Sequence, residues 1–299
     1  MAAAAARAQA CDGIHPGYGF LSENSGFAQA CRDAGLVFVG PTADNLRQFG
    51  DKARARALAR ECQVPVLEGM DHGVTQAQAE AFFARLPEGS AMVIKAVSGG
   101  GGRGLRVVRA ATEIAEAFAR CQSEAASAFG DNQVYVEQWL PRARHVEVQV
   151  LGDGRQVRHL WERECSLQRR QQKILEVAPA PDLDPELRQA LLQAALTLSR
   201  GCGFLGLGTF EFLIFPGPDQ PRFVFMEANP RIQVEHTVTE GSWGWIWWRC
   251  SWQWLSECFW TAWNWIAAGR GAGRCRRAST RGSTPTAIGP RGQPRSGAS

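Results

Sequence analysis

Met226-Glu-Ala-Asn-Pro-Arg-Ile-Gln-Val-Glu-His-Thr-Val-Thr239 follows a stretch, Pro221 to Met226, in which Phe223 and Phe225 alternate at period two and predict a strand. At its end Glu227, Asn229, Arg231, Gln233 and Glu235 occupy every second position. In extended backbone such residues share one face. That face offers two carboxylates, an amide oxygen and a guanidinium, a set able to hold a divalent cation through hard oxygens and to pair an anion beside it. Upstream, Gly208–Ile214 reads as a second strand, joined to the first across Pro216-Gly-Pro218. Antiparallel pairing of the two brings Glu211 beside Glu227.

Working outward, Ala91–Ala96 is an apolar strand running into Ser98-Gly-Gly-Gly-Gly-Arg-Gly104, and Leu105–Val108 is the return strand. Glycine lets backbone N–H groups approach phosphate oxygens with no Cβ in the way. The run is neither GxxxxGK[ST] nor GxGxxG. Because it joins two apolar strands, and because Lys95 sits on the first of them, it reads as a flap over a nucleotide. A second cluster, Arg163-Glu-Cys-Ser-Leu-Gln-Arg-Arg-Gln-Gln-Lys173, concentrates cations and amides and reads either as a solvated loop or as part of the same site.

The remaining punctuation is of the α/β kind. Helices are expected at Ser25–Ala34, Asp51–Glu61, Thr75–Leu86 (capped by Asp71 or Thr75), Thr112–Ala128 and Asp184–Cys202. Strands are expected at Leu36–Gly40, Pro65–Leu67 and Gln133–Glu137, with a hairpin of His145–Leu151 and Gln156–Trp161 across Gly152-Asp-Gly154.

Length suggests roughly two domains, and 45% apolar with 21% charged residues fits a globular chain. Nine cysteines without CxxC pairs argue against zinc and against a disulfide framework, hence for a reducing compartment, cytoplasmic or, in a eukaryote, the mitochondrial matrix. No apolar run is long enough to span a bilayer. Met1–Arg7 lacks the apolar core of a signal peptide. The net charge of +4 belongs to the tail: residues 241–299 carry +7, which leaves residues 1–240 at −3 and gives no reason to expect nucleic-acid binding.

His15-Pro-Gly-Tyr-Gly-Phe-Leu-Ser-Glu-Asn24, Gly50-Asp-Lys52, Lys95 with its glycine loop, Cys165-Ser-Leu-Gln-Arg-Arg170, Gly208-Thr-Phe-Glu-Phe212 and Glu227–Glu240 occur in one order. Together they resemble biotin carboxylase. The resemblance covers residues 8–240 and implies an α/β (α+β) ATP-grasp fold with a partial Rossmann-like N-terminal domain at 1–50. The ATP-grasp domain would span 51–240, with a flap subdomain at about 67–140 and a metal and bicarbonate core at 141–240.

It further implies that Lys52 and Lys95 contact ATP phosphates beneath Gly100, Gly101 and Gly102. Glu137 and Leu140 would line the adenine site, with His145 and Gln168 near the ribose. Glu211, Glu227 and Asn229 would hold Mg2+ or Mn2+. Lys173, Arg231, Gln233 and Val234 would surround bicarbonate, and Glu235 would be the general base. Biotin would arrive on a carrier domain or protein, a separate carboxyltransferase would choose the final acceptor, and a homodimer is compatible with the resemblance. The rival readings are a carbamoyl-phosphate-synthetase-like ligase, against which His15–Asn24 and Cys165–Arg170 weigh, and a non-catalytic nucleotide-binding remnant.

The chain departs from the family pattern at Gln171, where His or Asn is common. The first strands before Ala2 and the part beyond 240, with its biotin-side arginine, are also absent, so the chain as given is expected not to turn over. Residues 241–299 match nothing in the family and hold nine of the 11 tryptophans. Read one base earlier, codons for Trp243-Gly-Trp-Ile-Trp-Trp248 give apolar, Gly, apolar, Asp, Leu or Met, and Val. That matches the family's continuation and points to a changed reading frame next to Glu240. Residues 270–299, rich in Arg, Gly, Ser and Pro, are expected to be disordered.

Overall fold

A computed structural model describes residues 2–70, 73–97, 104–169, 172–217 and 222–243. The N-terminal part comprises α1 (Ala2–Ala8), β1 (Gly13–Ile14), α2 (Ser25–Asp33), β2 (Val37–Phe38) and α3 (Ala43–Gly50). There follow α4 (Lys52–Glu61), β3 (Gly69–Met70), α5 (Gln76–Arg85), β4 (Ala91–Ala96), β5 (Leu105–Val108), α6 (Ile114–Phe129) and β6 (Val134–Trp139). The last part is β7 (Arg144–Asp153), β8 (Val157–Arg169), β9 (Gln172–Val177), α7 (Pro185–Gly201), β10 (Leu205–Phe215), β11 (Arg222–Asn229) and α8 (His236–Trp243). The expectations for Gly100, Gly101, Gly102, Asp71, Gln171 and the tail beyond Trp243 fall outside the described residues.

Among the described residues the strands form three sheets. β1 and β2 pair in parallel, β3-β6-β4-β5 form an antiparallel four-stranded sheet, and β11-β10-β7-β8-β9 form an antiparallel five-stranded one. Side-chain parity builds the larger sheet. On β7, Val146, Val148 and Val150 are fully buried against Leu191, Ala195 and Leu198 of α7, while His145, Glu147 and Gln149 point to the other face. β10 repeats the pattern, with Phe210 and Phe212 in the core and Glu211 on the polar face. The smaller sheet buries Met92, Ile94, Val134 and Val136 under α5 and α6.

α4 begins where it does because Asp51 caps it, its carboxylate accepting from Ala53 N at 2.9 Å and Arg54 N at 3.1 Å. This cap also starts the turn that presents Lys52. Asp51→Ala is expected to destabilise the fold by about 1 kcal/mol, read from urea unfolding; an unchanged midpoint would show that the cap contributes nothing.

Three expected strands change. Leu36–Gly40 shrinks to Val37–Phe38, and Pro65–Leu67 forms only a single parallel bridge, Val66 to Phe225. The second arm of the expected hairpin runs on to Arg169, because a register slip opposite Val148–Val150, with Trp161 at φ +65°, lets the strand continue past Trp161. The Arg163–Lys173 cluster is therefore not a solvated loop. Arg163 and Cys165 lie fully buried on β8, and Lys173 is on β9. Among the described residues no helix is long and apolar enough to cross a membrane.

Candidate active site

A cleft of about 750 Å³ lies between the two larger sheets. Lys52, Lys95, Leu140, His145, Gln168, Lys173, Glu211, Glu227, Asn229, Arg231, Gln233 and Glu235, all singled out from sequence, line it. Glu137 sits below its floor, and Val234 faces outward, 40% exposed.

The paired carboxylates arise as the strands require: Glu211 on β10 stands opposite Glu227 on β11. The next pair is Phe212 with Phe225, so β11 carries one extra residue, Met226, at a bulge. That slip puts Phe225 in the core and Glu227 in the cleft although both are odd-numbered.

Beyond Asn229 the expected extended face does not exist. β11 ends there, residues 230–235 form a turn, and α8 starts at His236. Arg231, Gln233 and Glu235 nevertheless reach the same region by that turn. Gln233 Nε2 donates to Glu211 Oε1 at 3.4 Å, and Arg231 donates to Asn229 Oδ1 at 3.3 Å and to Glu23 from the N-terminal loop.

Lys173 is the centre of the arrangement. Its ammonium donates to Glu147, to Glu211 Oε1 at 3.1 Å and to Glu235 Oε1 at 3.2 Å. Burial works against its charge, but Glu147 and Glu211 foremost among the carboxylates hold its pKa above the ordinary lysine value. Burial likewise opposes ionisation of Glu211 and Glu147. His145 and Lys173 outweigh it for Glu211, Arg163 and Lys173 for Glu147, and both stay below the usual carboxylate range. Glu211 further accepts from Asn229 Nδ2 at 2.7 Å and lies 2.5 Å from His145 Nε2. Gln168 Nε2 sits 2.7 Å from His145 Nδ1, leaving Nε2 to carry the proton that faces Glu211.

At the other end of the cleft, Lys52 and Lys95 place their ammonium groups 5.7 and 5.9 Å from the centroid of the Tyr135 ring. Lys52 is also 3.8 Å from Glu227. Both oxygens of Glu137 are taken, Oε1 by Arg56 at 2.8 Å and Oε2 by Lys95 at 2.5 Å. Its carboxylate therefore anchors Lys95, and burial is overcome by Lys95 and Arg56 to keep it ionised.

Sequence reading missed Glu23, Arg56, Tyr135, Glu147 and Glu176, and gave Arg163 no role beyond its cluster. Glu147 was findable from parity, since it shares a face with His145 between valines. Glu176 has its pKa raised to about 7 by burial and by the charges of Glu235 and Glu147; no local pattern announces that. The donor atoms of Glu147, Cys165 and Glu176 lie within 4.8 Å of one another.

Comparison with known proteins places this geometry. The family described as "Carbamoyl-phosphate synthase L chain, ATP binding domain" matches residues 51–245, and "Biotin carboxylase, N-terminal domain" matches residues 2–46. The first match reaches past Glu240, where the motif reading stopped. The chain is 48% identical over 230 residues to a pyruvate carboxylase of Bacillus subtilis, covering 77% of this chain and 20% of that protein. It is 46% identical over 230 residues to the mitochondrial pyruvate carboxylase of Homo sapiens, covering 77% and 19%. It thus spans about a fifth of the length of these curated relatives. Among solved structures, biotin carboxylase of Campylobacter jejuni in a β,γ-ATP complex superposes with TM-score 0.76 at 40% identity over 81% of this chain and 53% of that one. The biotin carboxylase domain dimer of Hydrogenobacter thermophilus 2-oxoglutarate carboxylase, with MgADP, ADP and bicarbonate, gives 0.77 at 36% over 82% and 53%.

Proposed function

Because the chain belongs to the biotin carboxylase family, with an ATP-grasp ATP-binding domain, we propose that it serves the ATP- and bicarbonate-dependent carboxylation of biotin presented on a carrier domain. One observation carries the reading: Lys173 ties Glu211, a candidate metal ligand, and Glu235, the candidate base, to the same charge. The carbamoyl-phosphate-synthetase alternative is not favoured, since residues 2–46 match the biotin carboxylase N-terminal domain. The domain division is proposed as 1–50, then 51–240 with a flap at about 67–140. A carboxyltransferase partner, a homodimer and a reducing compartment belong to the same proposal.

Lys52 and Lys95, steadied on Tyr135, would pair the nucleotide phosphates, with Gly100, Gly101 and Gly102 as the flap. Glu211, Glu227 and Asn229 fit a hard cation. They are oxygen donors on neighbouring strands, and Glu211 stays ionised despite full burial. Mg2+ or Mn2+ held there would supply charge neutralisation at the phosphates. Arg231, Gln233 and Lys173 would orient bicarbonate; Val234, whose side chain faces outward, could contribute only through its backbone, and Glu235 would accept the proton. The deprotonated oxygen attacks the γ-phosphorus, ADP leaves, and the carboxyphosphate formed breaks down to CO2 and phosphate. The phosphate released can take the N1′ proton of biotin as N1′ adds to CO2, giving carboxybiotin. Catalysis on this account is mostly positioning and charge stabilisation.

Calorimetric titration with Mn2+ and ADP tests the metal assignment. Substituting Glu211→Gln and Glu227→Gln together is expected to weaken Mn2+-dependent ADP binding by at least about tenfold. Unaltered affinity would remove these residues from the metal site. ADP binding that bicarbonate leaves unchanged would favour a non-catalytic nucleotide-binding module.

A further inference from the structure

The geometry points to Arg163 as a positioning residue for bicarbonate, a buried guanidinium that fixes the 230–235 turn and the direction of the Gln233 amide. The inference rests on the functional reading above.

Arg163 has no exposed side-chain surface. Glu147 Oε1, 2.7 Å from Nε and 2.6 Å from NH2, already neutralises it. A buried guanidinium needs that much to be tolerated. It does not need what else is there. NH1 also donates to Gln149 and, at 2.8 Å, to Thr239 Oγ1, and NH2 points at Gln233 Oε1 at 3.4 Å and Thr209 Oγ1 at 3.5 Å. Gln233 and Thr239 lie 70 and 76 residues away in sequence, either side of Glu235. Thr239 is in α8 and is 1% exposed.

Two consequences follow for the anion site. Arg163 can face only the oxygen of the Gln233 amide, because a guanidinium has donors and no acceptor. The amide nitrogen is thereby turned toward Glu211 and the cleft, where it can donate to a bicarbonate oxygen. By holding Oε1 of Glu147, Arg163 also leaves Oε2 to Lys173. Lysine at position 163 would keep the charge and lose the planar fork that serves both sides at once.

The test is a titration of the whole chain with 13C-bicarbonate at saturating Mg-ADP, followed by NMR, on wild type, Thr239→Val, Thr239→Ser and Arg163→Lys. Thr239→Val keeps volume and removes one tether. It is expected to weaken bicarbonate about tenfold with Mg-ADP affinity unchanged, and Thr239→Ser is expected to restore it. Arg163→Lys should lose at least as much; if that variant does not fold, the Thr239 pair decides. Equal loss of Mg-ADP and bicarbonate in Thr239→Val would mark a purely structural contact and overturn the inference, as would wild-type bicarbonate affinity in that variant. A wild-type chain that takes no bicarbonate would overturn the functional reading itself.

Discussion

Replacing Lys173 with Met is expected to cost the folded chain about 3–5 kcal/mol at neutral pH and to abolish bicarbonate binding. The ammonium compensates Glu147 and Glu211, which are essentially unexposed, and Glu235. Without it, Arg163 still serves Glu147 and His145 faces Glu211, but each carboxylate keeps a buried charge that is only partly paired. The sign of the pH dependence follows. In the wild-type chain Glu147 and Glu211 have lowered pKa values, so their contribution is present above the unfolded carboxylate value, about 4.3, and is lost as pH falls through their folded values. In Lys173→Met, burial is offset only by Arg163 for Glu147 and by His145 for Glu211, so both values rise from where Lys173 held them. The penalty is then full at neutral pH and is relieved as protons are taken up. Urea unfolding at pH 7 and pH 5 should show the gap between variant and wild type narrowing toward pH 5. A gap under 1 kcal/mol at pH 7, or one that widens at pH 5, would refute the account.

The second large effect lies one residue before Glu211. Phe210 is fully buried, with ring centroids 5.3 Å from Phe49, 5.8 Å from Phe204 and 6.4 Å from Phe225. Phe210→Ala is expected to cost about 3–5 kcal/mol, seen as a fall in Tm of roughly 10–15 °C. Phe49 is the penultimate residue of α3, two positions before the Asp51 cap and three before Lys52. Loosening it should also weaken Mg-ADP binding. Phe212→Ala is the control: Phe212 is equally buried but its ring packs on Phe223 and Phe225. It should lose comparable stability with nucleotide affinity kept. Parallel losses of affinity in both variants would sever the proposed link from Phe49 to Lys52.

What the sequence made legible was local and periodic. Ala91–Ala96 and Leu105–Val108 have the bounds expected, and Glu211 faces Glu227 because two alternating strands joined by a short connection leave few registers. What it hid was non-local. Arg163 could not be told from a surface charge, since its partners Thr209, Gln233 and Thr239 lie 46 or more residues away. By its sequence Glu137 is expected at the adenine site; that Arg56 and Lys95 take its oxygens is visible only once the fold brings Arg56 of α4 to Glu137 on β6. Arg231, Gln233 and Glu235 do line one cleft, though not for the reason their spacing suggests. Their every-second-residue spacing suggests strand, but the turn before α8 is what gathers them.

The extra residue at Met226 divides β11 into two stretches that can drift independently. Up to Phe225, substitution is limited by the volume available among stacked aromatic rings; from Glu227 onward it is limited by charge. Since the slip sets the phase, additions or losses of chain before Arg222 leave the carboxylate in the cleft. Loss of Met226 alone would remove the bulge and leave plain alternation, with Phe225 in the core and the carboxylate still in the cleft, whereas straightening the bulge with Met226 kept would swing the carboxylate into the phenylalanine cluster. Length changes in this region are therefore filtered by where they fall more than by how large they are.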